Sequence, residues 1–105
     1  KANCSPEICD WIDSYESTFG NSPNIGSAYG YMYMDITARA LEIAGRDLTT
    51  DSFLNALESI NDYKIPFGET ILSWSPEKHL GANVAYLFEV QNGAFMQIDN
   101  KEYTY

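Results

Sequence analysis

Four groups of residues in this 105-residue chain have the types that do chemistry. Cys4 and Cys9 flank Ser5-Pro6-Glu7-Ile8 at a spacing of five, which fits neither a CxxC redox pair nor a zinc knuckle. They read either as a small disulfide loop in an oxidising compartment or as two free thiols, depending on compartment and local geometry. The single histidine, His79, lies in a Pro/Gly-bounded loop two residues after Glu77. A metal there would still lack further ligands at recognisable spacing, so no metal site is expected. Asp35 is the one acid set among apolar neighbours, and it could equally face water. Tyrosine is the enriched polar aromatic, eight in all, with Tyr29, Tyr31 and Tyr33 close together.

No catalytic constellation emerges: there is no GxSxG, no HExxH and no phosphate-binding glycine loop. No catalytic residue and no cofactor are expected. A small α+β enzyme using Asp35, Glu77 and His79 is a third reading, with no motif to link those groups. The tyrosines suit binding better. Residues i and i+2 of a helix lie about 200° apart, so Tyr31 points into a core or a pocket while Tyr29 and Tyr33 point elsewhere. In a pocket, such a ring supplies area and its hydroxyl fixes orientation.

The element that must position these tyrosines is the stretch Ser27 to Leu48, where Ala28, Tyr31, Met32, Ile36, Ala40, Leu41 and Ala44 recur at three and four. It predicts a helix of about five turns, closed at Gly45, with Arg39 and Arg46 near its negative end. Before it, Ser5-Pro6 provides a cap and a first-turn proline. Ile8, Trp11, Ile12, Tyr15 and Phe19 then line a helix over 6–19, ended by Gly20, with Trp11 and Phe19 packing on the core. After it, Thr49 or Thr50 caps a third helix over 50–61 with Phe53, Leu54, Leu57 and Ile60 inward.

Pro66 and Gly68 forbid regular helix across 64–68. From Thr70 the period falls to two, predicting a short strand at 71–74, a loop over 75–81 and a strand at 83–90. Asn92-Gly93 then predicts a tight hairpin pairing 83–90 with 94–99. Residues 101–105 give no clear pattern. Three helices followed by strands suit either one α+β domain or two bodies joined near Ile65 to Gly68.

A hydrophobic fraction of 45% with 14% aromatics is that of a globular chain, and its length allows at most one domain. Six basic against fifteen acidic side chains give a net charge of −9, which repels nucleic acid and anionic lipid. No run is long enough to span a membrane, and if the full protein is exported its leader is expected to lie outside these residues.

The runs ARALEIAGRDLT (38–49), SFLNALESINDYKIPFGE (52–69) and ILSWSPEKHLGANVAYLFEVQNGAF (71–95) resemble the C-terminal part of the family I periplasmic binding proteins. The nearest branch is that of branched-chain amino acid and amide ABC transporters. WIDSYESTFGNSP (11–23) is similar to the family's preceding helix and turn. The resemblance implies a two-lobed α/β parent that closes on a small solute and presents it to a membrane permease, periplasmic or extracellular. It further implies that the chain is a C-terminal fragment: 1–63 in one lobe, 64–70 near the interlobe crossover and 71–105 in the other lobe.

Tyr31 matches the family's ligand-touching aromatic and Tyr29 is a weaker match, whereas the groups that hold the solute's amino and carboxylate ends lie upstream in the family. Cys4 and Cys9 match no family feature. A sensing domain of the same fold, attached to a signalling protein or regulator, is the alternative. The remainder of the parent, or self-association, is expected to cover the apolar surface left by missing sheets.

Overall fold

The computed structural model describes residues 4–68 and 70–104. Three helices come first, α1 (Pro6–Phe19), α2 (Ile25–Ala44) and α3 (Thr50–Glu58), and six short antiparallel strands follow. Each helix starts where a side-chain oxygen replaces the missing backbone acceptor. Ser5 Oγ accepts from the Ile8 amide at 3.4 Å, with Pro6 at the first helical position. Asn24 with Ser27, and Thr49 with Ser52, form reciprocal capping boxes. Gly20 (φ 72°) and Gly45 (φ 75°) then turn the chain out of α1 and α2 in a conformation that a Cβ would disfavour.

The α2 bounds shift from the sequence expectation because Asn24 is the cap, so the helix starts at Ile25, before Ser27, and stops at Ala44. No basic residue occupies its last turn: Arg39 instead bonds Asp35 one turn back, Nε to Oδ2 at 2.9 Å. α3 ends at Glu58 rather than 61, where the Ser59 amide turns to the Asn55, Ala56 and Leu57 carbonyls.

The core is one seam. Met32, Ile36 and Ala40 of α2 meet Ala56 of α3, Ile60 and Tyr63, with Phe53, Leu57, Leu72 and Trp74 packed around them. Ala40 is wholly buried, and small residues here let the two helices approach closely. Two expected core positions lie outside: Leu41 and Leu54 are each 42% exposed. Phe19 likewise misses the core and is 63% exposed, resting on Tyr15 with ring centroids 4.6 Å apart.

Strands β1 (Tyr63–Lys64) and β2 (Ile71–Leu72) pair in the register Tyr63↔Leu72, so the Pro/Gly stretch between them is the tip of a hairpin. The Trp74 amide donates to the Ile60 carbonyl at 3.0 Å, and the indole lies over Gly81, where an added Cβ would sit 2.7 Å from the ring. The predicted 83–90 strand is two pieces. β3 (Val84–Ala85) pairs with β6 (Tyr103–Thr104), and β4 (Phe88–Gln91) pairs with β5 (Ala94–Gln97). Asn92 (φ 52°) and Gly93 (φ 79°) both take positive φ, the turn whose twist matches paired strands.

One polar contact ties the seam across 28 residues: the Tyr63 hydroxyl donates to Asp35 Oδ2 at 2.8 Å. The Arg39 guanidinium stands 5.2 Å from the Tyr63 ring centroid. Burial first, then donation to Asp35, holds the Tyr63 phenol neutral and pushes its pKa up to about 12. A raised folded-state pKa gives stability that is fully present below pH 10 and lost as pH rises through about 12.

Two substitutions probe this packing in urea unfolding. Ala40→Leu should overpack the seam and lower stability by about 1–3 kcal/mol. Tyr63→Phe should cost about 1 kcal/mol at pH 7 and flatten the stability loss between pH 10 and about 12 relative to the parent chain.

Candidate functional site

The α1 side of the molecule is built from rings rather than aliphatic side chains. Trp11 on α1 packs against Phe67 at the β1–β2 tip, with centroids 4.7 Å apart, and meets Tyr31 of α2 edge-on at 5.7 Å. Tyr31 in turn stands edge-on to Phe67 at 5.8 Å. A further tie holds α1 to α2, where Ser27 Oγ donates to the Tyr15 hydroxyl at 3.0 Å. Flat rings meeting at steep angles leave space that branched side chains would fill.

That space is a groove of about 700 Å³. Ser5, Glu7 and Ile8 form one wall, the 64–68 tip forms the other, and Tyr31 lies between them, 45% exposed. Glu7 and Ile8 are held in place locally: Cys4 and Cys9 are joined as a disulfide around the start of α1. The groove narrows against Trp11 into a recess of about 90 Å³.

The two candidate tyrosines do not converge. Tyr29 stacks on Tyr33, centroids 6.2 Å apart and planes 18° from parallel, away from the rings that Tyr31 meets. A second cleft, about 550 Å³, opens beside the core at Arg39, Glu42, Asn61, Asp62, Tyr63 and Lys64. Its side chains differ from those of the Tyr31 groove except for Lys64, which lines both.

Asp35, Glu77 and His79 also stay apart. Asp35 is engaged with Arg39 and Tyr63, and Glu77 accepts from Ser75 Oγ at 3.0 Å. His79 Nε2 lies 2.8 Å from Glu58 Oε1 at the end of α3, pinning the 75–81 turn to that helix. A general acid, a base and a nucleophile need a common point within hydrogen-bond reach, and these three share none. Among the described residues no three His, Cys, Asp or Glu side chains gather as metal ligands, and no helix is long and apolar enough to cross a membrane.

The sequence pattern singles out Tyr31 as a candidate and gives no sign that Phe67, Glu7 and Ile8 are its neighbours. Phe67 lies 36 residues along the chain, in a stretch whose proline and glycine announced only a break in helix. An aromatic residue directly after proline in a turn, Pro66-Phe67, was the available signal.

A groove lined by aromatic rings, with a few charged groups at its walls, is suited to holding a small molecule. No curated protein and no solved structure matches the chain. The family model described as periplasmic binding protein matches residues 3–94, which covers both walls of the groove and all three helices. The chain therefore belongs to the periplasmic binding protein family, whose general work is the binding of small solutes.

Proposed function

We propose that this chain is part of the solute-binding component of an ABC uptake system, acting without catalysis on an amino acid or a similar small amide or aromatic acid. In this reading the solute is enclosed by closure of two lobes and presented to a membrane permease. The three helices belong to one lobe together with Leu72 and Trp74, which pack on their seam, and the strands that follow belong to the other lobe.

The observation that carries the reading is the groove itself: Tyr31 stands where α1, α2 and the 64–68 connection meet. A solute held there touches α1, α2 and the 64–68 tip at once. The family match supports solute binding in general, and the amino-acid class comes from the resemblance of 38–95 to that branch. The Cys4–Cys9 bond supports a site outside the cytoplasm, where a disulfide persists. Tyr29, stacked on Tyr33 and exposed, is the weaker candidate and would meet solute only on lobe closure.

Thermal unfolding with a panel of amino acids, amides and aromatic acids tests this. A solute that binds the folded chain alone stabilises it by about 2.7 kcal/mol at one hundred times its Kd. Tyr31→Ala should weaken that solute about tenfold, while Tyr31→Phe retains most of the affinity because the ring supplies the contact area. A panel that moves the midpoint equally in the parent chain and in Tyr31→Ala would remove the groove as the site.

A further inference from the structure

The recess at the inner end of the groove has a composition of its own. Glu7, Ile8, Trp11, Tyr31, Pro66 and Phe67 line it. Of these, Glu7 carries the charge, while Lys64 lines the wider outer groove and not the recess. Three aromatic residues and one acidic residue therefore line one small volume. The negative faces of rings attract cations, most strongly at tryptophan, and a carboxylate supplies a full counter-charge. The recess, about 90 Å³, is several times the roughly 10–15 Å³ that one water needs, so it admits a group of a few heavy atoms. A net charge of −9 raises the local concentration of cations.

The backbone that carries Glu7 is closely constrained, although the residue is exposed. It lies inside the six-residue span that the Cys4–Cys9 disulfide closes, between the capping Ser5 and Ile8. Trp11, one turn further along α1, is braced by Phe67 and Tyr31. Glu7 and Trp11 are thus one helical turn apart on α1, the first within the span that the disulfide closes and the second just beyond it.

We propose that this recess is a subsite for an ammonium or amidinium group on the solute, with Glu7 as its counter-ion, Trp11, Tyr31 and Phe67 as its aromatic wall, and the Cys4–Cys9 disulfide as the element that positions Glu7. The inference rests on the solute-binding reading above and names the chemical class that this site selects. A solute with a cationic head and a flat or apolar body fits: the head enters the recess, and the body lies along Tyr31 and Phe67.

The test is a two-dimensional NMR titration that follows the Trp11 indole N–H and the Glu7 amide with three probes of similar shape: phenethylammonium, neutral 2-phenylethanol and anionic phenylacetate. Phenethylammonium should bind about tenfold tighter than 2-phenylethanol, with phenylacetate weakest. Glu7→Gln, whose far-UV spectrum and unfolding midpoint check its fold, should bring phenethylammonium down to the level of the alcohol. A Cys4→Ser/Cys9→Ser variant that keeps its helical spectrum should bind phenethylammonium more weakly. Unchanged affinity there removes the positioning role of the disulfide.

Equal affinity for the three probes, or a charge preference that survives Glu7→Gln, overturns the subsite. Silence of all three overturns it as well, and the solute panel then separates the two readings. A panel solute that still raises the midpoint in a Tyr31-dependent way places binding in the outer groove. A panel that moves nothing removes the groove altogether.

Discussion

The structure depends on one close approach, the seam where α2 meets α3 through Ala40 and Ala56. Small side chains let the helices near each other, and Met32, Ile36, Ile60 and Tyr63 fill the remaining space. Everything else is attached to that seam. The β1–β2 hairpin leaves directly from it at the buried Tyr63, and the half-buried Leu72 and Trp74 return to it, so the 64–68 tip is anchored at both ends. Asp35 reinforces the arrangement by accepting from Tyr63 on one side and Arg39 on the other. A buried phenol needs such an acceptor, and a carboxylate that is only partly exposed benefits from two donors.

The groove side is attached differently. α1 has no fully buried residue, and it reaches the rest of the molecule through Trp11, Tyr15 and the Ser27–Tyr15 hydrogen bond. Ring-to-ring contact is strong enough to orient the helix yet does not fill space as a branched core does, which is why a groove remains beside Tyr31. The disulfide at the start of α1 compensates locally by fixing the turn that carries Glu7. The groove thus has one wall set by a covalent link and another set by the core through β1 and β2. Its geometry is established before any solute arrives, which lowers the ordering cost of binding.

The distal strands are the least covered part. β4 and β5 form a ladder of four residue pairs, but Phe88, Val90, Phe95 and Met96 all remain exposed. The Cα radius of gyration, 16.6 Å, exceeds the roughly 13 Å of a compact domain of about 100 residues. Two-stranded sheets are marginal in isolation, and these are steadied by turn chemistry and by cross-links such as Tyr86 to Glu102 at 2.9 Å.

What the sequence determined by itself was local. Caps at Ser5 and Thr49 act within three residues, glycine ends two helices, and Asn92-Gly93 makes a hairpin because both residues accept positive φ. Each of these depends on atoms a few bonds apart, so residue order suffices. Periodicity also identified which residues share a face, yet it could not say whether another element covers that face. Leu41, Leu54 and Phe19 follow the apolar pattern and still meet solvent, whereas Ala56 is buried without having stood out. Only the tertiary structure decided that Tyr63 bonds Asp35, that Val84–Ala85 pairs with Tyr103–Thr104, and that Phe67 and Glu7 join Tyr31 around one groove while Tyr29 does not. Those choices turn on contacts between distant segments, where the area each pairing removes from water selects the partner.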